Sequence, residues 1–268
     1  MMKLAFIGGG QMAEAILQGI LDSRLLAAGE IMVADISAER LRYLQDKYQV
    51  STTISNIQAL RAASTVLLAV KPQAVDSVLA EIQAVNDPQQ LLISIVAGVP
   101  LQRLSAGQQF KAVRVMSNTP ALIGQAATAF CCNARVTAEE QAFVLKLLQS
   151  IGVVVAAEEK DLNTVTGLSG SGPAFVFRLM DYFIQTGVQL GLSADQARTL
   201  TYQTFAGSVL LARRTGRPLE ELIAQVTSPQ GTTFAGRQVL EQSAAGQIIR
   251  DTIVRAKERA DELSGGQP

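Results

Sequence analysis
Leu4-Ala5-Phe6-Ile7-Gly8-Gly9-Gly10-Gln11-Met12-Ala13 decides how this chain is read. Four apolar residues, too few for a helix, run into a glycine triplet, after which Met12, Ala13, Ile16, Leu17 and Ile20 recur at helical spacing. That is a strand, a turn and a helix. The turn has the form G-x-G-x-x-A: Gly8 permits the tight bend, Gly10 lets a pyrophosphate approach the backbone, and Ala13 lets helix and strand pack closely, with the phosphate held by amides at the positive helix end. Such a motif alone usually marks only a turn. Here the strand, the helix and Asp35, at the end of the next apolar run Ile31 to Ala34, agree, and they predict a dinucleotide-binding turn.

Working outward, Ser37 reads as the N-cap of a second helix, with Glu39 in its first turn and Leu41, Leu44 and Tyr48 facing one way, although Arg40 stands where a capping box wants an acid. Val66 to Val70, Leu91 to Ile95 and Ala112 to Met116 are apolar runs too short to be helices. Fully apolar strands between helices predict a parallel sheet covered on both faces. Thr137 with Glu140 forms a capping box before a helix through Leu148, and Val153 to Val155 is a last strand.

After about residue 157 the strand signals stop. Gly172-Pro173 opens a helix with Phe175, Val176, Leu179, Met180, Phe183 and Ile184, apolar enough to require burial on most sides. Gly191 ends it. Ser193 and Gln196 box the next helix, which runs toward Arg213 before Gly216 and Pro218; helical patterns also cover Leu219 to Val226, Thr232 to Gln242 and Ile248 to Leu263, and Ser264 to Pro268 reads as a frayed tail. The expected architecture is an α/β domain with a mostly parallel sheet over residues 1–157 and an all-α domain over 158–268.

Composition narrows the chemistry. The 268 residues allow two domains at roughly 100–200 each. There is no histidine, which excludes Ser-His-Asp and Cys-His nucleophiles, His-ligated metals and imidazole acid-base steps. Lys plus Arg and Asp plus Glu are 23 each, so net charge points neither to nucleic acid nor to an anionic membrane. Charged residues make up 17% against a usual ~25%, and 48% are apolar, so extra surface must be hidden in a large core or between subunits, which reads as an oligomer signal. No apolar run approaches the ~18 residues of a bilayer span, and no secretory signal is read at the start. Cys131 and Cys132 are adjacent, unsuited to an ordinary disulfide or a metal; they read as strand residues in a reducing cytoplasm.

Three further motifs carry chemistry. Ala69-Val70-Lys71-Pro72 follows an interior strand at the ligand-collecting edge, where Lys71 points toward a cofactor and Pro72 opens a helix. Asn118, in Ser117-Asn118-Thr119-Pro120, either bridges a cofactor to the helical domain or sits in a turn. In Val226-Thr227-Ser228-Pro229-Gln230-Gly231-Thr232-Thr233, Ser228 reads as an N-cap, Pro229 as N1 and Gly231 as an opening for first-turn amides, so this helix start can hold a carboxylate. Ser169-Gly170-Ser171-Gly172-Pro173 is explained by a close-packed turn before a buried helix.

These motifs, with Gly8-x-Gly10-Gln11-Met12, Met116-Ser117-Asn118-Thr119-Pro120, Thr166 to Ala174 and Ser228-Pro229-x-Gly231-Thr232-Thr233, resemble pyrroline-5-carboxylate reductases, in order and over essentially the whole chain. The resemblance implies NADPH- or NADH-dependent reduction of 1-pyrroline-5-carboxylate to L-proline, the last step of proline biosynthesis, in the cytoplasm. It implies a Rossmann domain and a helical substrate-binding and dimerisation domain that interlocks with a second subunit, in a homodimer or a ring of dimers. Carried over by position, the pyrophosphate meets Ile7, Gly8, Gly9, Gly10, Gln11 and Met12; the adenosine ribose meets Asp35 and Asn56; the nicotinamide meets Ala69, Val70, Lys71, Pro72, Ile95, Val96 and Ala97. Substrate falls to Glu159, Gln225, Ser228, Gly231, Thr232 and Thr233, with Thr233 catalytic and no metal. Gln230 stands where the family commonly has glycine, and Gln225 where some members have asparagine.

A cyclic imine is basic enough to arrive protonated, so it accepts hydride without a strong enzymatic acid and the missing histidine is no obstacle. Two other classes are weighed: a hydroxyacid or prephenate-type dehydrogenase, which would want a Lys or His base at the alcohol, and a non-catalytic nicotinamide-binding regulator, which would not need the Ser228 to Thr233 loop. Asp35 is expected to hydrogen-bond a ribose diol and favour NADH unless Arg40 or Arg42 neutralises it, whereas many family members prefer NADPH, so both cofactors are expected to work.

Overall fold
The computed structural model describes residues 2–107 and 109–265, so the end of the expected frayed tail, 266–268, lies outside the described residues. The chain divides into two compact units, residues 1–171 with 254–268 and residues 172–253. The sequence boundary at 157/158 falls inside the first unit, which extends to Ser171.

The first unit holds a sheet of β1 (Met2–Ile7), β2 (Ile31–Ala34), β3 (Ser51–Thr53), β4 (Ala63–Leu68), β5 (Leu91–Ser94), β6 (Lys111–Met116), β7 (Ala126–Cys132) and β8 (Gly152–Ala156), ordered β3-β2-β1-β4-β5-β6-β7-β8. Every neighbouring pair is parallel except β6 and β7. Residues 117–125 between those two are too few for a parallel crossover, which takes about a dozen or more, so β7 returns antiparallel.

The unit's helices are α1 (Gln11–Asp22), α2 (Ala38–Tyr48), α3 (Asn56–Ala62), α4 (Val75–Val85), α5 (Leu101–Leu104), α6 (Ala138–Gln149) and α7 (Leu162–Val165). Side chains alternate across each strand, and that alternation builds two cores. Leu4 and Phe6 of β1 pack with Ile31 and Val33 of β2 against Ile16 and Ile20 of α1, Leu44 of α2 and Leu147 of α6. Ala5, Ile7, Met32 and Ala34 face Leu60 of α3, Val75 and Val78 of α4, Leu101 of α5 and Leu162 of α7. This is the doubly covered, mostly parallel sheet expected from the apolar runs. Thr137 and Glu140 form the expected box at the start of α6.

The second unit contains α8 (Gly172–Gln189), α9 (Ala194–Thr215), α10 (Leu219–Gln225) and α11 (Thr232–Gln242); the division from the first unit falls within α12 (Ala245–Leu263). Gly191 adopts φ +102° after α8, and Ser193 and Gln196 box α9 as expected. Gly187 lies against Ala197, and the Phe183 and Phe205 rings meet edge to face at 5.2 Å. The burial required of α8 is not met within the chain: none of its residues is buried, and Phe177 is 62% exposed. A two-helix layer has no second face to cover that apolar surface. Among the described residues no helix is long and apolar enough to cross a membrane.

Candidate functional site
Register places Ala34, Ile7, Leu68 and Ser94 in one row across β2, β1, β4 and β5. The residues that follow, Asp35, Gly8, Ala69 and Ile95, therefore emerge side by side at the carboxyl edge of the sheet, where open parallel sheets bind ligands. Backbone bonds extend the ladder past that row: Gly8 N–H to the Ala34 carbonyl at 2.8 Å, Ala69 N–H to that of Ile7 at 2.8 Å and Ile95 N–H to that of Leu68 at 3.1 Å. Asn56 opens α3 just beyond β3, whose Thr53 registers with Ala34. All the cofactor segments expected from the sequence thus converge on one edge.

The glycine turn leaves the start of α1 open. Gly8 has φ +100°, and a Cβ there would stand 2.5 Å from the Ala69 carbonyl oxygen, so only glycine fits between β1 and β4. Gly10 is the N-cap of α1 with no side chain capping it, and a Cβ there would meet nothing within 4 Å. The first-turn amides of α1 consequently face open space, which suits a pyrophosphate. Ile7 and Val96 bury their side chains in the core and have only main chain to offer a ligand, while Gln11, Lys71, Pro72 and Ala97 are exposed. Pro72 opens a short 3₁₀ turn ahead of α4, as its helix-opening reading required.

Asp35 does more than the sequence assigned it. Its Oδ2 accepts the Gly9 N–H at 2.7 Å and its Oδ1 accepts the Ser37 N–H at 2.9 Å. Ser37 caps α2 by accepting the Arg40 N–H at 3.2 Å, so Asp35 supplies the reciprocal acceptor that an acid at position 40 would have given. Arg40 turns instead to the glycine loop, donating from Nε to the Gly9 carbonyl at 2.5 Å and pairing with Glu14. Glu14 is a site neighbour that sequence reasoning missed. Its carboxylate also accepts Tyr43 Oη and Tyr48 Oη, both at 2.8 Å, and Lys47 Nζ at 3.0 Å. Burial alone would raise its pKa, but the donors from Lys47, Arg40, Tyr43 and Tyr48 pull it down to about 2.

Of the six substrate residues expected, Glu159 lies in the first unit and Gln225, Ser228, Gly231, Thr232 and Thr233 in the second. Glu159 accepts the Leu101 N–H at 2.6 Å and lies 3.6 Å from the buried Arg114, which registers with Ser94 and donates to Asn163 at 2.7 Å. Asn118 precedes the turn Thr119–Ile123 without its side chain capping it; that side chain instead ties distant segments of the first unit together, its Nδ2 donating to the Ser169 carbonyl at 3.1 Å and its Oδ1 accepting the Ala127 N–H at 3.0 Å. Gly170 ends the wide helical turn Thr166–Gly170 against Met116, whose terminal methyl would stand 2.2 Å from a Cβ there. Burial pushes the Cys131 thiol up to about 12 and Cys132 to about 11, so both are inert strand residues at neutral pH.

In the second unit, Ser228 is not the cap of α11. That cap is Gly231, and Ser228 to Gly231 form a turn closed by the Gly231 N–H on the Ser228 carbonyl at 3.1 Å. Gln230 is the reason: its φ of +57° is left-handed and cannot lie in the first turn of a right-handed helix. Gln230 thus holds a conformation that favours glycine. A Cβ at Gly231 would press on Ser228, at 2.3 Å from its rotatable Oγ and 3.2 Å from its carbonyl oxygen, so the loop is tight here. No side chain caps α11, and Gln225, Ser228, Thr232 and Thr233 are exposed around its open amides. The helix start is open, and its cap, Gly231, comes three residues later than expected.

Comparison with known proteins agrees over both units. Residues 159–263 match the family model described as pyrroline-5-carboxylate reductase dimerisation, and residues 3–98 match that for NADP oxidoreductase, coenzyme F420-dependent. The pyrroline-5-carboxylate reductase of Synechocystis is 39% identical over 97% of this chain and 98% of its own. A solved pyrroline-5-carboxylate reductase from Coxiella burnetii superposes with a TM-score of 0.93 at 32% identity, covering 98% of each chain. The Plasmodium falciparum enzyme, solved with NADP bound, superposes with a TM-score of 0.87 at 29% identity over 98% of each. With a glycine turn at the carboxyl edge of the sheet, an uncapped helix start in the second unit and full-length relatives of this kind, the chain belongs to the pyrroline-5-carboxylate reductase family.

Proposed function
We propose that this protein reduces 1-pyrroline-5-carboxylate to L-proline with NADPH or NADH, in the cytoplasm, as a homodimer or a larger assembly of dimers. The observation that carries the reading is the single row of Asp35, Gly8, Ala69 and Ile95 beside the uncapped start of α1, in a chain whose full-length relatives are named for this reaction. A reduced nicotinamide dinucleotide, when bound, supplies the hydride.

The protein's own residues position and hold charge. First-turn amides of α1 take the pyrophosphate, Asp35 and Asn56 the adenosine ribose, and the Ala69 to Pro72 and Ile95 to Ala97 segments the nicotinamide side. At α11, the Gly231 and Thr232 amides hold the substrate carboxylate with Ser228 assisting, and the resemblance also assigns Gln225 and, in the first unit, Glu159 to the substrate. Thr233 Oγ1 hydrogen-bonds the ring nitrogen. Because the imine arrives protonated, hydride addition at the ring carbon gives the neutral secondary amine directly, and no side chain has to deliver a proton.

A dehydrogenase of hydroxyacid or prephenate type would need a base at an alcohol, and this loop offers hydroxyls and a glutamine only. Mixing purified protein with NADPH and 1-pyrroline-5-carboxylate and following the nicotinamide absorbance tests the proposal. Loss of absorbance with formation of proline is expected; no turnover with either cofactor would refute it.

A further inference from the structure
The Glu14 cluster lies outside the dinucleotide fingerprint yet grips the glycine turn. Glu14 stands on the first turn of α1 with its side chain 15% exposed, and α2 presents four donors to it, Arg40, Tyr43, Lys47 and Tyr48. Arg40 reaches from this cluster to the Gly9 carbonyl, while the Gly9 N–H is held by Asp35. A guanidinium and a carboxylate therefore flank one residue, on the side of the turn where the adenosine ribose is placed. Arg40 and Lys47 against Glu14 and Asp35 leave the local charge balanced. A ribose diol is indifferent to that balance. A 2′-phosphate, carrying up to two negative charges, is not.

We propose that Glu14 sets the cofactor preference of this enzyme: by pairing with Arg40 and pinning it to the glycine turn, it withholds that guanidinium from a 2′-phosphate and leaves Asp35 to select the unphosphorylated ribose. The inference rests on the cofactor lying at the glycine turn, as argued above. Arg40 is the only base of the cluster that touches the turn itself, and its fork is suited to a bidentate grip on phosphate once it is released. The depressed pKa of Glu14 means that the pairing persists throughout the neutral range. Arg40, which with Arg42 is one of the two bases able to neutralise Asp35, is thus restrained by an acid on α1.

The test is a fluorescence titration of NADH and NADPH, giving the two dissociation constants for wild type, Glu14→Gln, Arg40→Gln, the double variant and Gly10→Val. Glu14→Gln is expected to raise the ratio Kd(NADH)/Kd(NADPH) about three- to ten-fold at low salt, the effect of one uncompensated charge at short range, and less in high salt. In the Arg40→Gln background the same step is expected to change the ratio less than about two-fold, because Arg40 delivers the effect. An unchanged ratio, a shift toward NADH, or an equal shift in both backgrounds would overturn the proposal. Should Glu14→Gln fail to fold, Glu14→Asp, which retracts the carboxylate by one methylene, must move the ratio in the same direction, and no movement would likewise overturn it. Gly10→Val is expected to fold, since a side chain there meets open space, and to lose both cofactors alike; if it leaves both constants unchanged, the placement of the cofactor itself fails rather than the role of Glu14.

Discussion

Replacing Thr233 by valine keeps the shape and the β-branch and removes one hydroxyl. The structure makes this a clean perturbation. Thr233 is the second residue of α11, its side chain is exposed, and the cap of the helix is Gly231 rather than either threonine. Threonine and valine have similar helix propensities, so the stability change is expected to stay within about 0.5 kcal/mol, a melting shift of no more than ~2 °C in a chain of this size. Turnover should behave differently. If Thr233 Oγ1 supports the ring nitrogen during hydride transfer, its loss costs one hydrogen bond to a charged partner, about 1.5–3 kcal/mol, or roughly 10–100-fold in kcat. The assay is steady-state turnover with both substrates saturating, beside a thermal melt of the free enzyme. Thr232→Val is the control: position 232 contributes its amide, so both readouts should stay near wild type. Equal kcat for wild type and Thr233→Val would remove the hydroxyl from the mechanism and leave positioning by backbone amides.

Gln230→Gly should relieve the left-handed strain at φ +57°, worth about 1–2 kcal/mol, against about 0.5–1 kcal/mol of added backbone entropy; a melting temperature equal to or slightly above wild type is expected, and a clear fall would refute the strain. Glu14 has its pKa lowered on folding, so its stabilisation is complete above about pH 4.5 and is lost as pH falls toward 2. Denaturation midpoints of Glu14→Gln should therefore vary less over that window than those of wild type, by at most about 3 kcal/mol, and parallel curves would show the cluster to be inert. Phe177→Asp places a charge on the uncovered face of α8 and should split the assembly; light scattering at micromolar concentration should give a dimer or larger for wild type and a smaller species for the variant, and a wild-type monomer would end the argument.

Much of this protein is legible in one dimension because the signals are local. The glycine spacing, the apolar strands and the boxes at Thr137 and Ser193 each depend on residues within a few positions of one another, and every one of them folds as read. β3 escaped because Ser51-Thr52-Thr53 carries no apolar signal; it is a strand only because β2 offers it an edge. Ser-Pro is a good helix opening, so Ser228 reads as a cap, but the left-handed Gln230 two residues later moves that opening to Gly231.

The sequence by itself determined the alternation of strands and helices, the dinucleotide turn, the hydroxyl-rich helix start and the excess of apolar surface, since each follows from residue type and spacing. Only the tertiary structure decided which residues share an edge and which charges meet. Asp35 holds Gly9 from 26 residues away, Glu14 gathers donors from α2, and Glu159 finds the Leu101 amide across 58 residues. Such pairings are fixed by strand order and register, which arise from burial on the two faces of the sheet. No local pattern encodes them, because the same side chains on another register would face different neighbours.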